Sequence, residues 1–232
     1  MELTPELSTI SILLIGFVFG LQHAVEADHL AAVSTIVSEK KSLWSASIVG
    51  GFWGLGHTIS LFVVGAVVIF LKLQISETVE ARLEAVVGGM LILLGLNALR
   101  KLLTADEIHA HIHEHGEREH THIHVHKKKE EDSHHRFSPR SILIGMVHGL
   151  AGSAALMLLV VPTIQSPWLA LLYIIVFGIG SIGGMMAMSV LIGLPLHFTL
   201  DRFNFLNKGL RLCAGIFSLG LGSFIIYEKL MI

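Results

Sequence analysis

Two imidazoles and two carboxylates fall within seven residues at His23-Ala24-Val25-Glu26-Ala27-Asp28-His29. Neutral imidazole with carboxylate is a mixed nitrogen and oxygen set. It suits Ni²⁺, Co²⁺, Zn²⁺ or Mn²⁺ better than Ca²⁺ or Mg²⁺. To hold a dication, at least one carboxylate must be ionised and each histidine unprotonated, so binding weakens as pH falls. The surroundings are apolar: Ile10 to Gly20 precede the cluster and Leu30-Ala31-Ala32-Val33 follow it. From 8 to 37 nothing else is charged, and the stretch exceeds the roughly 20 apolar residues that cross a bilayer. An ionisable side chain in hydrocarbon costs about 2.5–3.5 kcal/mol on insertion scales, so it is seldom there without a use. An apolar run ending near Leu21 would leave 23–29 as a wet turn. The return of apolar residues directly after His29 favours a polar site inside a membrane helix instead.

Spacing leaves the carboxylate open. On a regular helix His23 and Asp28 point about 140° apart and would not face one ligand. Glu26 lies three residues from both His23 and His29. Either Glu26 is the central carboxylate, or the helix is distorted between Gly20 and His29 and Asp28 swings in. A further imidazole, His57, follows Trp53-Gly54-Leu55-Gly56 in the next apolar run.

The elements that must position these groups follow from composition. Of 232 residues, 53% are hydrophobic and 15% charged, and the mean hydropathy is +0.71. These values indicate a membrane protein rather than a soluble domain. Apolar runs against the spanning length predict an all-α protein of six transmembrane helices, at 8–37, 43–71, 83–103, 139–162, 168–197 and 207–227. The first lacks the basic flank and cleavage site of a secretory signal and is expected to stay in the mature chain. With alternating ends, thirteen of the sixteen lysines and arginines fall on one side, leaving Lys72, Arg82 and Lys229 on the other. The positive-inside rule then puts both termini outside the cytoplasmic membrane.

The link 104–138 is different in kind. It carries ten histidines, several in His-x-His alternation from His109 to His126. Its polarity predicts a disordered cytoplasmic segment, and its imidazoles suit transition metals.

Residues 1–103 and 139–232 read as two copies of one three-helix unit. Gly20-Leu21-Gln22-His23 matches Gly145-Met146-Val147-His148 at an offset of 125. Gly54-Leu55-Gly56-His57 matches Gly178-Ile179-Gly180-Ser181 at 124, and Leu94-Gly95-Leu96 matches Leu219-Gly220-Leu221 at 125. An odd helix number inverts the second copy, as in many secondary transporters. The copies have diverged. His148 keeps the partner of His23, whereas Ser153, Ala154 and Ser181 stand where Asp28, His29 and His57 do in the first.

At these residues the chain resembles the nickel/cobalt transporter family, most closely its shorter, urease accessory-type permease branch. A histidine followed after four residues by Asp-His stands here as His23 and Asp28-His29, and Gly-His-Thr stands as Gly56-His57-Thr58. The resemblance covers the membrane part and implies that His23, Asp28 and His29 belong to the metal path, through a distorted first helix. Family members commonly carry acidic residues in later helices, whereas the corresponding stretch here is Gly149-Leu150-Ala151-Gly152-Ser153-Ala154.

Secondary transport of Ni²⁺, with Co²⁺ as a second ion, is therefore expected, with uptake favoured over efflux. The candidate ligands are His23, Asp28, His29, His57, Glu26 and His148. No cofactor beyond the transported ion is expected. The partners are the metal, the bilayer and a cytoplasmic metallochaperone, and no charge pattern suggests nucleic acid. An enzyme is not expected: there is no nucleotide-binding loop and no His-Glu-x-x-His. A thiol-disulfide conduit would need a cysteine in each half, and Cys213 stands alone.

Overall fold

The computed structural model describes residues 5–38, 40, 42–104, 109–114, 119–124, 139–160, 164, 166–199 and 204–231. Of these, 5–8, 109–114, 119–124, 152–160 and 204 are described by backbone alone. Seven helices carry the membrane part: α1 (Pro5–His23), α2 (Ala27–Val37), α3 (Leu43–Leu71), α4 (Glu77–Thr104), α5 (Pro139–Val160), α6 (Pro167–Thr199) and α7 (Asn204–Met231). α3, α4, α6 and α7 are each long and apolar enough to cross a membrane, and α1 with α2 forms a fifth candidate, bent by 55° at its break. Leu14, Val63, Leu93 and Phe224 are more than half exposed on these helices. That is how a lipid-facing surface reads, since only helices satisfy their own backbone in hydrocarbon. The chain is a multi-pass membrane protein.

Local chemistry sets the ends. Ser42 caps α3 by accepting the Ser45 N–H at 3.2 Å. Lys72 ends it in the left-handed region, at φ 50, with its N–H on the Val68 carbonyl. α4 starts six residues earlier than the apolar run, at Glu77, because Glu77 and Glu80 in its first turn complement the helix dipole. Pro167 opens α6 after Ser166, whose carbonyl receives the Ala170 N–H.

One expectation is corrected. The run 8–37 is not one helix: after His23 the chain makes two tight turns, Val25 N–H to Gln22 O and Glu26 N–H to His23 O, and α2 restarts at Ala27. Within the histidine-rich link the described residues form an antiparallel pair, β1 (His109–Glu114) with β2 (Glu119–His124), aligning His111 with His122. Alternation with Ala110, Ile112, Thr121 and Ile123 is a period-two pattern that favours strand. The rest of the link lies outside the described residues.

α3 packs against both α5 and α6, α1 against α6, and α4 against α7, while α2 sits among α4, α6 and α7. At 11 residues α2 is too short to cross a bilayer alone. It is the core of the bundle, with His29, Ala31, Ala32, Val33, Thr35 and Val37 all buried. Close approach at the other contacts needs glycine. A Cβ on Gly20 would meet the Phe177 carbonyl, and one on Gly145 would meet the Trp53 carbonyl. Gly145→Val is therefore expected to separate α3 from α5 and to remove most folded protein from the membrane fraction, read by size-exclusion in detergent. Gly89→Ala faces open space and should match or slightly exceed the parent in thermal stability, by up to about 1 kcal/mol of helix propensity.

Candidate metal site

Five predicted residues meet where α1, α2, α3 and α5 converge: His23, Asp28, His29, His57 and His148. The four imidazoles are buried. His23 Nε2 lies 3.2 Å from His57 Nε2. The rings of His23 and His29 are 4.3 Å apart and those of His29 and His148 are 4.2 Å apart. Trp53 and Phe177 wall the cluster, at 5.3 Å from His29 and 5.4 Å from His23.

The helix break resolves which carboxylate reaches in. Restarting at Ala27 places Asp28 in the first turn of α2, where its Oδ1 accepts the His29 backbone N–H at 2.8 Å. The same oxygen lies 2.9 Å from His29 Nδ1, and Oδ2 lies 3.0 Å from His148 Nε2. An ionised carboxylate only accepts, so both ring nitrogens that face it carry hydrogen. In the neutral rings the lone pairs then sit on His29 Nε2 and His148 Nδ1. Both of those atoms are buried with no hydrogen-bond partner among the described residues, as is His57 Nδ1. Buried polar nitrogens are almost always satisfied, and a carboxylate that fixes histidine tautomers is the usual support behind metal-binding imidazoles.

Two groups could hold an ion. One nitrogen each from His23, His29 and His57 lie within 4.8 Å of one another, and so do ligand atoms of Asp28, His29 and His148. Metal–nitrogen bonds of about 2.1 Å bring neighbouring ligands about 3 Å apart, close to the His23–His57 separation. Glu26 stands apart. Its Oε1 lies 2.9 Å from His23 Nδ1, at ion-pair distance but off the line of a hydrogen bond, and its side chain is 54% exposed. It belongs to neither group.

Sequence reasoning brought His148 in only as the repeat partner of His23. Its contact with Asp28 had no sequence signal, because it depends on how α2 meets α5. Ser181, at the position matching His57, is also fully buried with an unpartnered hydroxyl. That offset was the one clue to it.

A buried imidazole–carboxylate cluster in a multi-pass membrane protein is a candidate transition-metal site. Residues 9–207 match the family described as high-affinity nickel-transport protein, NicO. The chain belongs to that family; it is a nickel transporter and not an enzyme. It is 39% identical over 197 residues to the urease accessory protein UreH of Bacillus sp. (strain TB-90), covering 84% of this chain and 81% of UreH. It is also similar to two Arabidopsis thaliana proteins, chloroplast proteins FOR GROWTH AND FERTILITY 1 and 2. Identities there are 23% and 26% across 89% and 92% of this chain, which spans about half of each. No solved structure matches.

Asp28→Asn replaces one acceptor oxygen with an amide donor, so one of the two ring bonds is lost. Hydrogen bonds to charged groups contribute about 1.5–3 kcal/mol, and the apparent Tm in detergent should fall by several degrees. Insertion should persist, because a charge has left the hydrocarbon. An unchanged Tm would mean that the carboxylate does not tie α2 to α5.

Proposed function

We propose that the protein imports Ni²⁺, with Co²⁺ as a second ion, as a secondary permease whose ligands are the nitrogens of His23, His29 and His57. Asp28 holds two of the cluster's imidazoles in the binding tautomer, and its ionised carboxylate offsets the dication's charge. His148 supplies a further nitrogen from the second half of the chain. The observation carrying this is the convergence of buried imidazole nitrogens, including one on His29 that has no hydrogen-bond partner among the described residues. Uptake is preferred to efflux because high affinity serves capture of a scarce ion, whereas export runs down from a high internal concentration. A thiol-disulfide conduit finds no support: Cys213 is exposed on α7 and no residue of the cluster contains sulfur.

The scaffold in this reading is six spans, α1 with α2 counting as one and α5 as another, arranged as two inverted three-helix repeats, 1–103 and 139–232. Paired contacts support it. Gly20 meets Phe177 as Gly145 meets Trp53, Gly180 meets Phe17 as Gly56 meets Ile142, and Gly178 meets Thr58 as Gly54 meets Ile182. Each pair maps onto the other by the sequence offsets of 124 and 125. Rocking of one repeat against the other would open the site to alternate sides. Both termini lie outside the cytoplasmic membrane and 104–138 inside, where its histidines buffer arriving metal for a cytoplasmic metallochaperone.

Radiolabelled Ni²⁺ uptake into cells, with and without a proton gradient, tests the reading. His23→Ala and His57→Ala should each abolish uptake with insertion intact, since a dehydrated dication would lack a ligand that no solvent replaces. Glu26→Gln should be much milder than Asp28→Asn. Full uptake in both histidine variants would remove the site from the route. Protons compete for the same lone pairs, so uptake at a fixed gradient should fall as external pH drops.

A further inference from the structure

A second polar cavity, of about 180 Å³, opens between α2, α4 and α5. A single water needs about 10–15 Å³ measured in this way, so there is room for a larger polar guest. Its polar lining is Thr35, Lys40, Asn97, Lys101, Arg140 and Ser141. Three cations thus surround it, and among the described residues the lining holds no carboxylate. Arg140 is the second residue of α5, so the positive end of that helix faces the same space. Thr35 and Ser141 are buried, with Thr35 donating to the Ala32 carbonyl at 2.8 Å.

The position is informative. Thr35 lies two turns after Asp28 on α2, and Ser141 two turns before His148 on α5, each on the same helix face as its counterpart. The cavity therefore continues the α2–α5 seam that Asp28 and His148 close, toward the end of the bundle where lysine and arginine gather.

We infer that this cavity is an anion site for a phosphate oxyanion, either the headgroup of an anionic lipid or free phosphate. Basic pockets between membrane helices at the cytoplasmic face bind such headgroups. An oxyanion bound there also offsets the positive charge of Lys40 and Arg140, which would otherwise oppose a dication leaving along the seam. That consequence rests on the transport reading above; anion binding does not, and can be measured whether or not nickel moves.

The test is thermal unfolding of the full-length protein in neutral detergent at constant ionic strength. The probes are inorganic phosphate, phosphatidylglycerol, or phosphatidylcholine as the uncharged comparison. Ligands that bind only the folded state raise Tm, and a rise of about 2 °C or more is expected with an anionic probe. A shift with phosphatidylglycerol alone assigns the site to a lipid headgroup, and a shift with inorganic phosphate assigns it to the free oxyanion. The Lys40→Gln/Arg140→Gln protein should lose the shift and Lys40→Arg/Arg140→Lys should keep it. No shift in the unmodified protein, or an equal one in the charge-neutral variant, overturns the site.

Discussion

The interaction on which the rest depends is the grip of one carboxylate on two imidazoles. Asp28 holds His29 on its own helix and His148 on α5, at 2.9 and 3.0 Å. An ionised carboxylate inside a membrane protein is costly unless its oxygens are satisfied, and here both are. Ring N–H groups turned toward Asp28 leave lone pairs on the opposite side of each ring. One electrostatic requirement, solvating a carboxylate with protein donors, thereby leaves ring lone pairs unengaged and joins α2 to α5.

That grip would be impossible on a continuous helix. The break after His23 costs α1 and α2 their shared backbone ladder, which in hydrocarbon has to be recovered elsewhere. Two tight turns and the Asp28 side chain, which takes the His29 N–H, recover part of it. Packing secures the remainder. Ala31, Ala32 and Val33 are almost wholly buried, so a short helix is held in the interior by small side chains. The polar break and the apolar wedge after it therefore form one device.

Much of this was legible in the chain. The apolar runs at 43–71 and 139–162 agree with the helices α3 and α5 to within two residues, because long apolar runs bounded by polar links favour uninterrupted helix. His23, Asp28, His29 and His57 were recognisable from residue type alone, and all four converge. What helical spacing left open was Glu26 against Asp28, since a regular helix turns Asp28 away from His23, and the break instead sets it against His29 and His148. Family resemblance pointed to the distorted helix, while periodicity could not, because a break of three residues hardly changes the apolar pattern.

On the proposed two-repeat reading, divergence between the halves explains why the cluster has one centre. On the α5 side the backbone is helical without interruption from Pro139 to Val160, with no counterpart to the break at Ala24–Glu26. The second half contributes His148, but the carboxylate and three of the four imidazoles come from the first. Two equal copies would place two carboxylates near the seam, and like charges at close range cannot both stay ionised in a low dielectric. Retaining the carboxylate in one copy avoids that repulsion. It also makes the interface between halves a donor–acceptor contact, Asp28 against His148. In the proposed route a dication at the imidazoles competes with the N–H groups for the charge of that same carboxylate. Occupancy by metal and contact between the halves are thus coupled through Asp28, which is the kind of differential interaction a change of access requires.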